Sequence, residues 1–256
     1  MNNFLAALMF FTRLPFHKIK QVPTESFSHV TGWWSVTGLL TGGVMALVFW
    51  LCSKIMTMQA ALALALISRV LLTGGLHEDG LADFLDGFGG GNDRDSTLRI
   101  MKDSHIGTYG VLGLILYFLL SYTLLLNVLP QYIPVVLICG DVFSKCVSSH
   151  IVWFLPYARP ETESKNGTVY THPTALEETL TLVSGFGVLA LMPWAIIWKY
   201  GYIPMVYPFI YTTLPVASFF LLIWLFKRRL NGYTGDCCGA LFLLTELAFR
   251  ILTAIL

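Results

Sequence analysis

Long apolar runs alternate with short polar segments along the chain, and this pattern predicts a bundle of membrane-spanning helices. A helix needs roughly 20 mostly apolar residues to cross the hydrocarbon core of a bilayer. Seven stretches meet or nearly meet this length, at about Trp34–Cys52, Met58–Leu76, Gly110–Val128, Ile133–Phe154, Thr179–Trp198, Met205–Phe226 and Cys237–Leu256. The predicted fold is therefore all-α, a polytopic helical bundle of about seven transmembrane helices in one membrane-embedded domain that covers residues 1–256.

Two further patterns indicate where the chain meets the membrane surface. The N-terminal run Phe4–Phe16 is too short to span, and it lacks the basic start and cleavage pattern of a signal peptide. We predict a short interfacial or re-entrant helix packed under the bundle. Tryptophans near the ends of predicted spans are interpreted as interfacial anchors. They are Trp33, Trp34, Trp153, Trp194 and Trp198.

The composition supports a membrane protein. Hydrophobic residues make up 55% of the chain and charged residues 12%, and charged residues are about twice as frequent in soluble domains. These values exclude a disordered protein, a coiled coil and an ordinary soluble enzyme. The net charge of +1 predicts no nucleic-acid partner. The five cysteines are scattered without a Cys-x-x-Cys motif, so neither a disulfide framework nor a zinc site is expected.

Charged residues are concentrated on one side of the predicted bundle. Alternating spans divide the loops into two sets, and one set contains eleven of the sixteen basic and thirteen of the fifteen acidic residues. That set comprises residues 1–33, 77–109, 155–178 and 227–236. The positive-inside rule places it, and the N-terminus, in the cytoplasm. One chemically rich face favours an enzyme over a transporter, because transporters usually place polar groups near the bilayer midplane.

Five charged residues lie inside the predicted spans. Asp141 and Lys145 are four residues apart, as are Glu246 and Arg250. Residues at this spacing are neighbours on a helix, so we interpret each couple as a structural ion pair. Arg69 has no partner at that spacing.

An acidic motif follows the second predicted span. Asp79, Asp83 and Asp86 occupy positions i, i+4 and i+7 and would share one face of a helix. Three negative charges on one helix face repel each other, but a divalent cation bound between the carboxylates would turn this repulsion into a favourable interaction. Mg²⁺ prefers carboxylate oxygens and usually shares its coordination with substrate phosphates. Glu78 could serve a second metal, and His77 could be a base or a donor to phosphate; the alternative is a solvated acidic turn.

A second polar segment leads into the third predicted span. Gly89–Asp95 is predicted to be a flexible loop. Arg99 and Lys102 suit phosphate groups, although they could equally be charges that set the topology. Asp103 is a further candidate metal ligand.

At these residues the chain resembles the cobalamin synthase family, whose members are also called adenosylcobinamide-GDP ribazoletransferases. The acidic motif and the segment around Lys102 carry the resemblance in combination, and three further signatures agree. The matching stretches are His77–Gly87, Ile100–Gly110, Phe11–Pro15, Tyr157–Arg159 and Asn231–Ala240.

The resemblance implies a Mg²⁺-dependent transfer that joins adenosylcobinamide-GDP to α-ribazole or α-ribazole 5′-phosphate and releases GMP. It implies a multi-pass enzyme in a bacterial or archaeal inner membrane, in contact with lipid and with corrinoid and ribazole substrates. It could form a homo-oligomer or associate with other corrinoid-assembly enzymes.

The resemblance also gives the candidate residues their roles. His77 and Asp86 are alternative general bases, and Lys102 and Arg159 would hold the diphosphate and the leaving GMP. Candidate substrate-binding residues are Arg13, Arg99, Ser104, Tyr109 and Asp236. Candidate metal ligands are Glu78, Asp79, Asp83, Asp86 and Asp103.

Two other functions are considered. A CDP-alcohol-type phosphotransferase would run analogous chemistry, but its second pair of aspartates is missing here. A corrinoid or cation transporter would require charged, broken helices at the midplane and polar loops on both faces.

Overall fold

The computed structural model describes residues 1–159, 170–192 and 207–255, without the side chains of residues 207–209. The regular secondary structure of this part is helical, with 3₁₀ segments at Phe16–Lys18 and Thr24–Trp33. The α-helices are α1 (Asn2–Phe11), α2 (Trp34–Cys52), α3 (Met58–Thr73), α4 (Leu76–Gly90), α5 (Arg94–Lys102), α6 (Thr108–Leu126), α7 (Ile133–Ser149), α8 (Ile151–Phe154), α9 (Ala175–Leu189), α10 (Tyr207–Leu230) and α11 (Gly235–Ile255). The prediction of an all-α polytopic bundle is confirmed.

Five helical segments of the described residues are long and apolar enough to cross a membrane, and a bent pair makes a sixth if it counts as one span. The bent pair is α3 and α4, which meet at 89°. This number agrees with the expected seven or so. The remaining predicted span, Thr179–Trp198, is described only as far as residue 192, as part of α9 and the short stretch that follows it. Its residues 193–198, which include Trp194 and Trp198, lie outside the described part.

Some predicted boundaries differ from those of the structure. Gly89 and Gly90 belong to α4, so the loop predicted at Gly89–Asp95 is shortened to residues 91–93. Asp93 caps the N-terminus of α5, since its carboxylate accepts from the Ser96 backbone N–H at 2.8 Å. This cap explains why a new helix begins at Arg94, inside the predicted loop. At the other end of the chain, α10 continues through Lys227, Arg228 and Arg229 in its last turn.

The sharp turn between α3 and α4 depends on two glycines. Gly74 and Gly75 have φ values of 71° and 74°, a left-handed backbone conformation that residues with a Cβ atom rarely adopt. A Cβ at Gly74 would also lie 2.0 Å from Nε of Arg13. The turn therefore needs glycine for its backbone and for the packing of Arg13, and it sets the direction of α4.

The helices α7 and α11 form the interior of the bundle. Both are largely buried, whereas α6 exposes most of its apolar surface. The helix α11 contacts α4, α6, α7 and α10. Such a central helix can bring side chains from several elements to one site at its N-terminus.

The N-terminal helix is attached to α9 through one buried carboxylate. Glu177 accepts from Nδ2 of Asn3 at 2.9 Å and from Nε1 of Trp33 at 3.2 Å. It also accepts from the backbone N–H of Thr174. Burial opposes the charged form, but the hydrogen bonds outweigh it and lower the pKa of Glu177. The predicted N-terminal helix is present as α1 and packs against the first 3₁₀ segments.

Candidate active site

The site begins where the first turns of α4 and α11 cross. A Cβ at Gly80 would lie 3.2 Å from Cα of Asp236, and one at Gly239 would lie 3.0 Å from the carbonyl oxygen of His77. Such close backbones leave no room for side chains at either position. This crossing places His77 and Asp79 of α4 beside Asp236 of α11.

A cavity of about 100 Å³ opens at this crossing. Its wall combines aromatic rings with a small number of polar side chains. The aromatic and histidine residues are Phe10, Phe11, Trp34, His77, Tyr157 and Tyr170, and the other polar side chains belong to Thr31, Asp79, Arg159 and Asp236. Chain segments far apart in sequence therefore meet around one polar pocket.

Arg159 is positioned by a short pairing of two loops. The backbone N–H of Ala158 donates to the carbonyl of Tyr233 at 2.8 Å, and that of Tyr233 donates to Pro156 at 2.9 Å. The Arg159 guanidinium then donates to the carbonyl of Leu98 at 3.1 Å. It lies 4.0 Å from the carboxylate of Asp236, so both signature loops contribute to the cavity.

A basic cleft lies beside the cavity, and Arg159 lines both. The volume of the cleft is about 610 Å³. The side chains that line it belong to α5 and the loops beside it, and they are Arg94, Asp95, Leu98, Arg99, Lys102, Asp103, Ala158 and Arg159. Four of these eight residues are arginine or lysine, so the cleft suits phosphate groups. The structure thus brings three predicted residues, Arg99, Lys102 and Arg159, to one surface.

The aspartates of α4 have different environments along the helix. Asp79 is exposed and lines the cavity, and Asp83 is half-buried one turn further on. Asp86 is buried, and its two oxygens accept from the backbone N–H groups of Gly107 and Gly110 at 2.7 and 2.8 Å. Asp86 therefore satisfies free donors at the N-terminus of α6.

Two other predicted metal ligands point elsewhere. Glu78 faces the interior of the bundle, 3.6 Å from Nη2 of Arg69. Asp103 lies in an exposed loop and accepts from the backbone and ring of His105, and these hydrogen bonds lower its pKa. Among the described residues, no three His, Cys, Asp or Glu side chains lie close enough to hold a metal ion between them.

His77 is enclosed by aromatic rings at the cavity wall. Its ring lies 5.9 Å from that of Phe11, 5.6 Å from that of Trp34 and 4.8 Å from that of Phe242. Within the described part of the chain, its Nε2 atom has no hydrogen-bond partner. This nitrogen is therefore available to a ligand or a substrate proton.

The other predicted substrate-binding residues, Arg13, Ser104 and Tyr109, do not line the cavity. Arg13 is exposed and packs beside Gly74, close to the start of α4. Ser104 and Tyr109 are exposed in and after the loop before α6, and the Tyr109 ring covers Gly89. In the described structure, neither residue is among those that line the cavity or the basic cleft.

Trp34 corrects one prediction. It is 1% exposed, stacks on Phe11 with an interplanar angle of 6°, and lines the cavity. It is therefore a core residue and no interfacial anchor. Sequence reasoning also missed Thr31 and Tyr170, which carry no motif. Burial raises the pKa of the Tyr170 phenol, so this group is neutral at cellular pH.

A buried ionic network lies directly behind the cavity. Glu246 accepts from Arg69 at 2.7 Å and from Arg250 at 2.6 Å, and Tyr117 donates to its other oxygen at 2.8 Å. Lys145 pairs with Asp141. The two predicted pairs are confirmed.

Arg69 joins the two pairs of this network. Its Nη1 atom also lies 3.5 Å from the Asp141 carboxylate. The ring of Phe242 contacts His77 on one hand and the cations of Arg69 and Lys145 on the other. Glu78 completes the network, with three acidic groups against three basic ones.

The fold and this site define a polytopic membrane protein with a charged pocket at one end of its helical bundle. The chain belongs to the cobalamin-5-phosphate synthase family, whose model matches residues 3–254. It is a transferase of that family, which confirms the resemblance and the predicted enzyme class.

Relatives in the genus Shewanella match nearly the whole chain. A protein of Shewanella baltica strain OS185 is 38% identical over 241 residues, which cover 93% of this chain and 87% of the relative. A protein of Shewanella frigidimarina is 35% identical over 254 residues, which cover 94% and 89%. Both are named adenosylcobinamide-GDP ribazoletransferase. No solved structure matches the chain significantly.

Proposed function

We propose that the protein joins adenosylcobinamide-GDP to α-ribazole or its 5′-phosphate and releases GMP. The observation that carries this proposal is that Arg159 lines both the cavity and the basic cleft. A diphosphate could lie along Arg99, Lys102 and Arg159 while the acceptor nucleoside occupies the cavity. The names of the Shewanella relatives support the same substrates.

In the proposed reaction, the ribose 3′-hydroxyl of the ribazole attacks the phosphorus next to the cobinamide arm. The bond from that phosphorus to the bridging oxygen breaks, and GMP leaves with the bridging oxygen. Arg159 and Lys102 neutralise the charge that develops on the leaving phosphate. Catalysis of this kind depends mainly on positioning and electrostatics.

We propose His77 as the general base. Its Nε2 is unpartnered within the described structure and belongs to a residue of the cavity wall. Both oxygens of Asp86, the alternative base, already accept backbone hydrogen bonds. His77 would accept the proton of the attacking hydroxyl, a contribution typically worth about 10²–10⁴-fold.

We propose Mg²⁺ as the cofactor, held by Asp79 and Asp83. Mg²⁺ commonly binds one or two carboxylates and completes its shell with water and substrate phosphates. Asp79, which lines the cavity together with Arg159, and Asp83 one turn further along α4 fit this requirement. When bound, Mg²⁺ would stabilise negative charge on the diphosphate oxygens. Glu78 faces Arg69 in the interior of the bundle, Asp86 binds the N-terminus of α6, and Asp103 lies in an exposed loop outside the cavity wall, so the proposed site does not include them.

We propose that the cavity faces the cytoplasm, from an inner membrane, with the N-terminus on the same side. Support comes from the basic residues of the predicted cytoplasmic loops, which meet at one end of the bundle. Arg94 donates to the carbonyls of Ala158 and Leu230, and Arg229 donates to that of Gly91.

The test is GMP release by purified protein in detergent, with both substrates present. We expect release that requires Mg²⁺ and falls at least a hundredfold in Asp79→Asn and Asp83→Asn. Glu25→Gln serves as the control, since Glu25 is exposed on a 3₁₀ segment and has no assigned role. A folded protein that releases no GMP, beside an active relative, would contradict the reaction. Release that survives both substitutions would move the metal site elsewhere.

A further inference from the structure

The inner wall of the cavity is largely aromatic. It is formed by Phe10, Phe11, Thr31, Trp34, His77 and Tyr170. Phe11 and Trp34 stack on each other, and Phe10 packs edge-on against Tyr170 at 6.1 Å. All four residues line the cavity. Aromatic walls of this kind favour stacking or edge contacts with a planar ring.

Three buried polar atoms in this wall have no partner within the described residues. They are Oγ1 of Thr31, Nε1 of Trp34 and Nε2 of His77. Each of the three residues is at most 2% exposed. Buried polar groups are nearly always hydrogen-bonded, so three such atoms on one cavity wall indicate a ligand that supplies partners.

The size of the cavity limits which part of a substrate can enter. Its volume of about 100 Å³ is well below the roughly 300–1,000 Å³ of pockets that enclose drug-sized ligands. A single planar base is compatible with this volume. A corrin macrocycle is not, and it must remain outside.

We infer that this cavity is the subsite for the heterocyclic base of the α-ribazole acceptor, enclosed by Phe10, Phe11, Trp34 and Tyr170. The inference rests on the proposed function, because that function supplies the ribazole substrate. The ribazole base is a benzimidazole with one free ring nitrogen, which only accepts. The Trp34 indole N–H only donates, and the Thr31 hydroxyl can donate too.

The guanine of the other substrate fits this wall less well. Guanine presents two acceptors on one edge and an amino donor on another, so it needs a matched set of polar partners. Within the described residues, the unpartnered polar atoms of the inner wall are the three of Thr31, Trp34 and His77 named above, and aromatic rings surround them. Guanine is therefore assigned to the open basic cleft, and its binding in the cavity is the alternative that the experiment tests.

The experiment is a calorimetric titration of the detergent-solubilised protein with α-ribazole and, separately, with GMP. Trp34→Phe keeps an aromatic ring and removes the N–H. Thr31→Val keeps the shape and removes a hydroxyl that has no described protein partner, so its folding should be preserved. Trp50→Phe is the matched control, because Trp50 is exposed at the opposite end of α2.

We expect α-ribazole affinity to fall about tenfold in Trp34→Phe, the usual effect of one lost hydrogen bond of good geometry. A smaller fall is expected in Thr31→Val, and none in Trp50→Phe. GMP affinity should be the same in all variants. The KM for ribazole in turnover should rise in parallel, with the KM for the corrinoid substrate unchanged.

Two results would overturn the inference. One is a loss of GMP affinity in Trp34→Phe, which would place guanine in the cavity. The other is unchanged α-ribazole affinity in both cavity variants. Wild-type protein that binds α-ribazole in a Trp34-dependent way but releases no GMP would support the subsite and contradict the proposed reaction, so the two failures are distinguishable.

Discussion

Asp86 shows how one motif can contain both structural and chemical carboxylates. It shares a helix face with Asp79 and Asp83, but the N-terminus of α6 covers its end of that face. Its two oxygens accept from Gly107 and Gly110. The spacing of the aspartates alone could not separate these roles, because the cover comes from a different helix.

We predict that Asp86→Ala destabilises the protein by about 1–3 kcal/mol, since two backbone N–H groups would lose their acceptor in a buried place. Thermal unfolding in detergent measures this effect. Asp95→Ala is the control, because the Asp95 side chain is 92% exposed, and its stability should be unchanged. An Asp86→Ala protein of normal stability that has lost all turnover would instead assign Asp86 to catalysis.

At the scale of helices, the crossing of α4 and α11 determines the geometry of the site. The two backbones approach at Gly80 and Gly239, where an added Cβ atom would lie 3.0–3.4 Å from backbone atoms of the other helix and would push the two helices apart. The sequence alone does not show whether Gly239 allows close helix packing or belongs to the site. The structure shows that close packing is how Asp236 reaches the cavity.

We predict that Gly239→Ala costs about 1–3 kcal/mol through overpacking and lowers turnover by separating Asp236 from Asp79. Gly43→Ala, in α2, is the matched control, because a Cβ there would meet nothing within 4 Å. The control should be neutral or slightly stabilising, as alanine favours helix. Unfolding temperature and GMP release are measured on both. Equal behaviour of the two variants would contradict the tight crossing.

Hydropathy and spacing predicted most of the elements but not their breaks. The span Trp34–Cys52 has the bounds of α2, because a long apolar run has one stable solution in a bilayer. The 89° turn after Thr73 was not predicted, since apolar residues continue across Gly74 and Gly75. Trp34 was misassigned because its burial comes from rings of α1, α4 and α11, which lie far from it in sequence.

For the whole molecule, the buried network behind the cavity joins five helices, α3, α4, α6, α7 and α11. Spacing of four residues predicted the pairs Asp141–Lys145 and Glu246–Arg250. It could not predict Arg69 as their link, because that contact joins residues 177 positions apart. Arg69 and Lys145 of the network pack against the ring of Phe242 of α11, and that ring contacts His77 of α4.

We predict that Arg69→Met strongly destabilises the bundle, by about 3–5 kcal/mol, because it leaves buried carboxylates without a counter-charge. Arg69→Lys keeps the charge but loses the planar guanidinium that reaches both Glu246 and Tyr117, so an intermediate loss is expected. Unfolding temperatures of the purified proteins give the order. A methionine variant as stable as wild type would show that the network contributes no net stability.

The arrangement of these charges also bears on how the chain enters a membrane. A single charged residue near the centre of an inserting helix costs about 2.5–3.5 kcal/mol on the biological scale. Beyond Asp236 at the start of α11, α7 and α11 each carry one acid and one base a turn apart, so the two charges inside each span neutralise each other before the helix meets another. Arg69 of α3 has one of its counter-charges in Glu78 of α4, the next helix to leave the ribosome. The segments α7 and α11 therefore each bring a neutralising partner to the translocon, and α3 receives one from the helix that follows it, before the bundle assembles.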